Sequence, residues 1–117
     1  MGTDFSNLRH SLNEVDRLIH EPARLAIMTI LYALESADFL YLQRETGLTR
    51  GNLSSHLAKL ESAGYLEIEK TYRGKIPLTL CRLTKPGREA FEIYHQQLQE
   101  FVKHTQPRVP ENPGEQK

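Results

Sequence analysis

Residues 48–64, LTRGNLSSHLAKLESAG, constrain the fold of this chain more than any other stretch. At about 100° per residue on a helix, Leu53, Leu57 and Leu60 gather on one face. The opposite face holds small and polar residues, none of them acidic: Gly51, Asn52, Ser55, Ala58, Lys59 and Ser62. Since Thr49 can cap the N-terminus and Gly64 suits a left-handed stop, we predict a helix over about residues 49–63. One side of this helix would pack, and the other would suit a polyanion.

Two further helical patterns precede this helix. Pro22 suits a first helical position, and the apolar residues after it fall on more than one side, which predicts a central buried helix. Residues 36–38 form a break with capping chemistry, and residues 39–47 predict a two-turn helix ended by glycine. A short helix joined to the 49–63 helix by a glycine turn is a helix-turn-helix arrangement.

Two stretches after Gly64 alternate apolar and polar residues, as half-buried strands do. They span residues 65–72 and 78–83, and the connection between them has Gly74 flanked by Arg73 and Lys75. We therefore predict a β-hairpin with a basic tip.

Both ends of the chain carry apolar stripes. Near the N-terminus the apolar residues are spaced three and four apart, at Phe5, Leu8, Leu12, Val15 and Ile19. Thr84 caps a final helix with a similar stripe. Each stripe fits either the core of its own domain or a partner helix. Because the domain between them is too small to cover both, we predict a homodimer interface formed by Leu8, Leu12, Val15, Phe91, Tyr94, Leu98, Phe101 and Val102.

The formal net charge is zero, but the charges are segregated along the chain. Residues 44–88 carry nine basic and four acidic groups, whereas the segments on either side are net acidic. A basic central segment is the electrostatic footprint that nucleic acid requires, despite the neutral total.

Several classes of protein are disfavoured by the residues present. Cys81 is alone, so no intrachain disulfide framework and no paired-cysteine metal signature exist, and no two histidines are spaced four apart. The chain has no glycine-rich phosphate loop and no recognisable nucleophile setting, so we expect no enzyme activity, no cofactor and no metal. With neither a signal peptide nor a long apolar run, we expect a soluble, cytoplasmic protein.

The order helix, short helix, turn, helix, basic hairpin, helix resembles that of a winged helix. The segments NLSSHLAKLESAGYLE and LTKPGREA resemble the small single-domain winged-helix transcriptional regulators related to the MarR and ArsR families. The resemblance implies a prokaryotic DNA-binding regulator, usually a homodimer, whose helix over residues 49–63 enters the major groove. We name this helix the reading helix, and residues 71–78 the wing, which the resemblance places on phosphates or in the minor groove. Metal sensors of the ArsR type carry paired cysteines that this chain lacks.

Eight residues are the candidates for contact with DNA. The reading helix contributes Thr49, Arg50, Asn52, Ser54, Ser55 and Lys59, and the wing contributes Arg73 and Lys75. Arg and Asn suit base edges, while Ser and Lys more often bind phosphates. Lys70 and Arg82 are weaker candidates, since either could pair with Glu67 or Glu69 across the hairpin. We expect His56 to be a partly buried structural residue. Cys81 could be a redox switch, but a lone cysteine is more often packed or exposed without a function.

The fold class that we predict is mainly α with a small β-hairpin, a winged helix-turn-helix with additional N- and C-terminal helices. The expected organisation is an N-terminal helix over residues 1–20, a DNA-binding core over 21–84, a C-terminal helix over 85–105 and a disordered tail over 106–117. The predicted function is a sequence-specific double-stranded DNA-binding transcriptional regulator that acts as a homodimer, more often as a repressor. The alternative is a winged helix that binds another protein. No residue pattern supports a small-molecule effector.

Overall fold

The central helix, α1 (Pro22–Ala33), is covered on several sides, as its sequence predicts. The computed structural model describes Arg9 and residues 14–105 of the chain. Glu21 caps α1 by accepting the Arg24 backbone N–H at 2.8 Å, and Pro22 stands at the start of the helix. The side chains of Ile27, Met28 and Leu31 are fully buried. Because the other elements pack around them, α1 is the centre of the core.

The helix-turn-helix follows directly. Helix α2 (Phe39–Thr46) ends at Gly47, which adopts a left-handed φ of 73°, and α3 (Arg50–Ser62) is the reading helix. The Thr49 hydroxyl accepts the Asn52 backbone N–H at 3.1 Å, so the predicted cap is confirmed. Gly64 has a φ of 82° just beyond α3, which confirms the predicted stop.

The predicted hairpin is part of a larger sheet. Strands β2 (Leu66–Arg73) and β3 (Ile76–Leu83) pair antiparallel around a tight turn at Gly74. A short strand, β1 (Ala37–Asp38), pairs with β3 on its other edge, which gives the order β1-β3-β2. The sequence predicted only a capping break at β1, because two residues are too few to show an alternating pattern. The capping itself is confirmed, since the Asp38 carboxylate accepts the Tyr41 backbone N–H at 2.8 Å.

The last helix, α4 (Lys85–Lys103), is fixed to the end of the reading helix. Thr84 caps α4 through the Gly87 backbone N–H at 3.0 Å, and its hydroxyl donates to the Gly64 carbonyl at 2.5 Å. A Cβ at Gly87 would lie 2.0 Å from the Tyr65 carbonyl oxygen, so only glycine permits this approach. The contact joins α4 to the chain leaving α3.

The segment before α1 corrects one boundary. We predicted a helix through residue 20, but residues 14–20 form turns. The Asp16 carboxylate accepts the backbone N–H groups of Leu18 and Ile19, at 2.9 and 3.3 Å, and this local bonding competes with helix formation. Val15 and Ile19 are nonetheless buried in the core. The rest of the predicted N-terminal helix, and the predicted tail over residues 106–117, lie outside the described residues.

Candidate nucleic-acid interface

The reading helix has one packed and one exposed face, in the predicted phase. Leu53, Leu57 and Leu60 are buried, with at most 2% of their surface exposed. The six residues of the opposite face are all exposed: Gly51, Asn52, Ser55, Ala58, Lys59 and Ser62. The other candidates on this element, Thr49, Arg50 and Ser54, are exposed too. The helix therefore offers solvent a surface without a carboxylate on those nine positions.

The wing, at the tip of the β2–β3 hairpin, presents two cations. Arg73 and Lys75 flank Gly74, and all three residues are exposed. Two large apolar side chains stand beside them, Tyr72 at 68% and Ile76 at 66% exposure. The alternating pattern of the strands predicts that apolar side chains such as these are half-buried. They are exposed because the sheet at this end extends beyond the core.

Ion pairs distinguish Arg82 on the sheet from the cations of the candidate interface. Arg82 donates to the Glu69 carboxylate at 2.8 Å and lies 3.8 Å from that of Glu67, as the sequence had suggested. The hydrogen bond to Glu69 raises the pKa of Arg82. Within the described part of the chain, no ion pair neutralises Arg50, Lys59, Arg73 or Lys75. Lys70 on β2 likewise has no ion pair among the described residues, so unpaired positive charge lies on the reading helix, the wing and the strand between them.

A groove of about 410 Å³ lies between the reading helix and the hairpin. Its apolar floor includes Phe39, Leu40, Leu57, Ile68, Pro77 and Leu78. Its polar lining is formed by Asp38, Arg50, Ser54, Glu61, Lys70 and Thr79. The sequence analysis did not find this groove, since it depends on how two elements distant in sequence are packed.

Arg50 is held at one side of this groove by an aromatic ring. Its guanidinium carbon lies 5.3 Å from the centroid of the Phe39 ring. The two residues begin α3 and α2 respectively, so the helix-turn-helix brings them together. A cation and a ring eleven positions apart have no recognised sequence signature, and the sequence analysis missed this pair.

His56 has the structural role that we expected. Its side chain is 19% exposed, and Nδ1 lies 3.1 Å from Arg24 Nη1 and 4.0 Å from the Glu21 carboxylate. Glu21 accepts the Arg24 backbone N–H, and this bond is the main reason that its pKa is lowered. The cluster connects the reading helix to the start of α1, away from the exposed face.

Cys81 packs in the core at the middle of β3. The side chain is fully buried, and burial raises the pKa of the thiol to about 11. Since the thiolate is the reactive form, the position is consistent with packing and not with a redox switch.

The predicted dimer interface is divided between core and surface. Val15, Phe91 and Tyr94 are buried in their own protomer, where Tyr94 lies 2.7 Å from His20 Nδ1 through its hydroxyl. These three side chains were placed on the interface because a stripe facing the core has the same spacing as one facing a partner. Leu98 and Phe101 are partly exposed, Val102 is exposed, and Leu8 and Leu12 lie outside the described residues. The interface itself stays a prediction, with Leu98, Phe101 and Val102 as its available side chains on α4.

A second groove, of about 700 Å³, lies beside these residues between α1 and α4. Leu25, Tyr32, Phe91 and Leu98 contribute its apolar lining, and Thr29 and Gln96 are among its polar residues. An open groove between two helices, with an apolar part of this kind, has the form of a surface that another helix can cover.

The described residues contain no group of three or more His, Cys, Asp or Glu side chains that could hold a metal ion. Over Arg9 and residues 14–105, no helix has both the length and the apolar character needed to cross a membrane.

Comparisons with known proteins agree with this geometry. A family model described as a winged helix DNA-binding domain matches residues 23–102. An uncharacterized protein of Methanocaldococcus jannaschii is 34% identical over 91 residues, which are 77% of this chain and 98% of that protein. The structure of a transcriptional regulator homologue from Pyrococcus horikoshii has a TM-score of 0.77 at 27% identity, and the match covers 86% of this chain and 98% of the other.

A more distant structure has the same fold. A regulator assigned to the MarR family, from Enterococcus faecalis, has a TM-score of 0.68 at 20% identity, covering 90% of this chain and 92% of the other. The match includes most of both chains, so the likeness extends beyond the helix-turn-helix.

Proposed function

Because this chain belongs to the winged helix DNA-binding domain family, we propose that it is a cytoplasmic transcriptional regulator that binds a specific double-stranded DNA sequence as a homodimer. The reading helix lies in the major groove, and the wing contacts phosphates or the minor groove. The protein acts as a repressor by occupying its site, and it carries out no catalysis.

The position of the unpaired cations is the observation that carries this proposal. Lys59 lies on the exposed face of the reading helix, and Arg73 and Lys75 lie at the wing tip. DNA is charged along its whole length, so it can engage cations on two separate elements at once. Arg82, on β3 of the hairpin, is paired with two carboxylates and is not part of this surface.

The size and chemistry of the reading helix fit the major groove. Its 13 residues span about 20 Å, and the groove is about 12 Å wide, which admits one helix. Asn52 suits the bidentate recognition of adenine, while Ser54, Ser55 and Lys59 suit phosphates. The Thr49 hydroxyl is occupied by the helix cap, so its part in DNA binding is to fix the first turn.

The homodimer is supported by the open groove between α1 and α4 and by the exposed apolar residues beside it. Leu98, Phe101 and Val102 of one protomer would cover the same surface of its partner around a two-fold axis. Two reading helices about 34 Å apart would then match half-sites one turn of DNA apart.

A second candidate function is favoured by the apolar residues at the wing. Tyr72 and Ile76 are largely exposed, which suits a protein partner more than a phosphate backbone. In this alternative the winged helix binds another protein and has no specific affinity for DNA.

Titration of a random duplex at several salt concentrations separates the two functions. If each protomer neutralises roughly three to five phosphates, log K against log[salt] should have a slope of about −5 to −9 for a dimer. Replacing Arg73 and Lys75 together with Ala should weaken binding to all sequences. Lys103→Ala, which removes an exposed cation that is paired with Glu100 on α4, should not. A slope near zero with unchanged binding by the wing variant would support the protein-binding alternative.

Binding of the purified protein to sheared genomic DNA, followed by sequencing of the retained fragments, tests sequence specificity. Enrichment of a short two-fold symmetric motif is expected. Uniform recovery of all fragments would show that the reading helix does not select bases.

A further inference from the structure

The stacked pair Arg50 and Phe39 gives Arg50 a defined orientation before any ligand binds. The guanidinium lies over the ring face at 5.3 Å from its centroid. A guanidinium held over a ring in this way keeps N–H groups available for a bidentate anionic acceptor. Among the described residues, no carboxylate forms an ion pair with Arg50. Among the described residues Arg50 therefore has an aromatic neighbour and no carboxylate in an ion pair with it.

Two cations and two hydroxyl groups line the groove beside this pair, together with two acidic residues. Arg50 and Lys70 line it from the reading helix and from β2, together with the hydroxyl groups of Ser54 and Thr79. Of its two acidic residues, Asp38 is occupied in capping α2, with the Tyr41 N–H at 2.8 Å. Glu61 lies eleven positions beyond Arg50 on the helix, which corresponds to about 16 Å along the axis.

The direction of the Arg50 side chain points to the DNA backbone and not to the bases. On a helix with about 100° per residue, Arg50 lies roughly 140° from the middle of the exposed face that would enter the major groove. It is on the side of the helix that faces the hairpin, where Arg50 and Lys70 share the groove. A strand of DNA that passes from the reading helix to the wing must cross this groove.

We propose that the groove between the reading helix and the hairpin holds the sugar–phosphate backbone of one DNA strand, and that Phe39 is a positioning residue that holds Arg50 for bidentate contact with a phosphate. The deoxyribose rings lie against the apolar floor formed in part by Leu40 and Pro77, and Lys70 contacts the strand from the opposite wall. This proposal rests on the proposed function, since it requires binding to duplex DNA.

A double-mutant cycle tests the role of Phe39. Phe39→Leu removes the ring but retains an apolar side chain, and it should weaken duplex binding about two- to fivefold, the usual contribution of an exposed stack. In the Arg50→Ala background the same change should have no further effect, because the group that Phe39 positions is gone. Phe39→Tyr retains the ring face and should bind as the wild type does.

The stack of Tyr41 with Arg44, at 5.5 Å, supplies a matched control. Tyr41→Leu combined with Arg50→Ala should give the product of the two separate effects, since Tyr41 does not touch Arg50. Equal losses from Phe39→Leu with and without Arg50 would overturn the positioning role and show that Phe39 acts through the fold. Thermal melting of each variant distinguishes a protein that does not fold from one that does not bind.

The identity of the acceptor is tested with modified DNA and the wild-type protein. Replacing single phosphates with neutral methylphosphonates along the bound site should reveal a position that weakens wild-type binding but leaves Arg50→Ala unaffected. The opposite result is that no methylphosphonate has this effect, while a 7-deazaguanine at one position weakens wild-type binding and leaves Arg50→Ala unaffected. Arg50 would then contact a base, and the proposed groove contact would be wrong. If the wild-type protein fails to bind any duplex, the proposed function fails first, which is a different outcome from a failed cycle.

Discussion

Replacing a leucine on the packed face of the reading helix with alanine should lower the free energy of unfolding. A replacement with alanine on the exposed face should not lower it. Leu57→Ala removes a side chain that is 2% exposed, and the lost transfer free energy alone is about 2 kcal/mol. Leu57 also lines the groove, so the vacated space opens towards solvent and the added cavity cost is small. Leu53 is fully buried and does not line the groove, so Leu53→Ala should cost more, about 3 to 5 kcal/mol.

Asn52→Ala is the matched change on the exposed face. Alanine has the higher helix propensity, so this variant should be unchanged or more stable by up to about 0.7 kcal/mol. Urea denaturation of the three variants and the wild type measures the free energies of unfolding. The expected order of destabilisation is Leu53→Ala, then Leu57→Ala, with Asn52→Ala at or below zero. Equal losses for Asn52→Ala and Leu57→Ala would refute the assignment of the two faces, and a larger loss at Leu57 than at Leu53 would refute the argument from the groove.

Three further predictions concern recognition, assembly and the core. Asn52→Ala should reduce discrimination between the preferred site and a single-base variant by about 1 to 3 kcal/mol, measured by competition binding; unchanged discrimination would remove Asn52 from the base contacts. Leu98→Glu with Phe101→Glu should halve the mass seen in sedimentation at micromolar concentration, whereas a wild-type monomer would rule out the dimer. Because the pKa of the Cys81 thiol is raised to about 11 in the folded state, an unfolded thiol ionises first as pH rises from about 9. The stabilisation from Cys81 should thus be complete below pH 8 and lost towards pH 11. The raised pKa values of Tyr65 and Tyr94 add a decline of their own in both proteins, so the wild type should lose stability more steeply than Cys81→Ala in urea denaturation; parallel pH profiles would contradict it.

Local chemistry made the central part of the fold predictable. Thr49, Gly47 and Gly64 specify where the reading helix begins and ends, and the leucine spacing specifies which side is buried. The hairpin was equally clear, because alternation over eight residues and a turn glycine act together. These signals depend on neighbours in sequence, so they can be found without knowing the packing.

Features that depend on distant residues were not predictable. Strand β1 exists because Ala37 pairs with Cys81, and the stack on Arg50 exists because two helix starts meet. The stripe of α4 was found, but its division between core and surface follows from how α1 and residues 14–20 cover Phe91 and Tyr94. The Asp16 carboxylate replaces the predicted helix with a turn. One of its oxygens accepts the backbone N–H groups of Leu18 and Ile19, and the other accepts the Tyr65 hydroxyl.

The close approach of Gly87 to Tyr65 has a mechanical consequence for a dimer. It fixes α4, a helix of 19 residues and about 28 Å, to the end of the reading helix with no flexible linker at the contact. If α4 forms the dimer contact, a rotation of about 5° at this joint displaces the far end of α4 by about 2 to 3 Å. The range of half-site spacings that the protein tolerates would then depend on the stiffness of this joint, which the Gly87–Tyr65 approach and the Thr84 hydrogen bond to Gly64 form together. A ligand that tilts α4 would change the geometry of DNA binding without touching the reading helix.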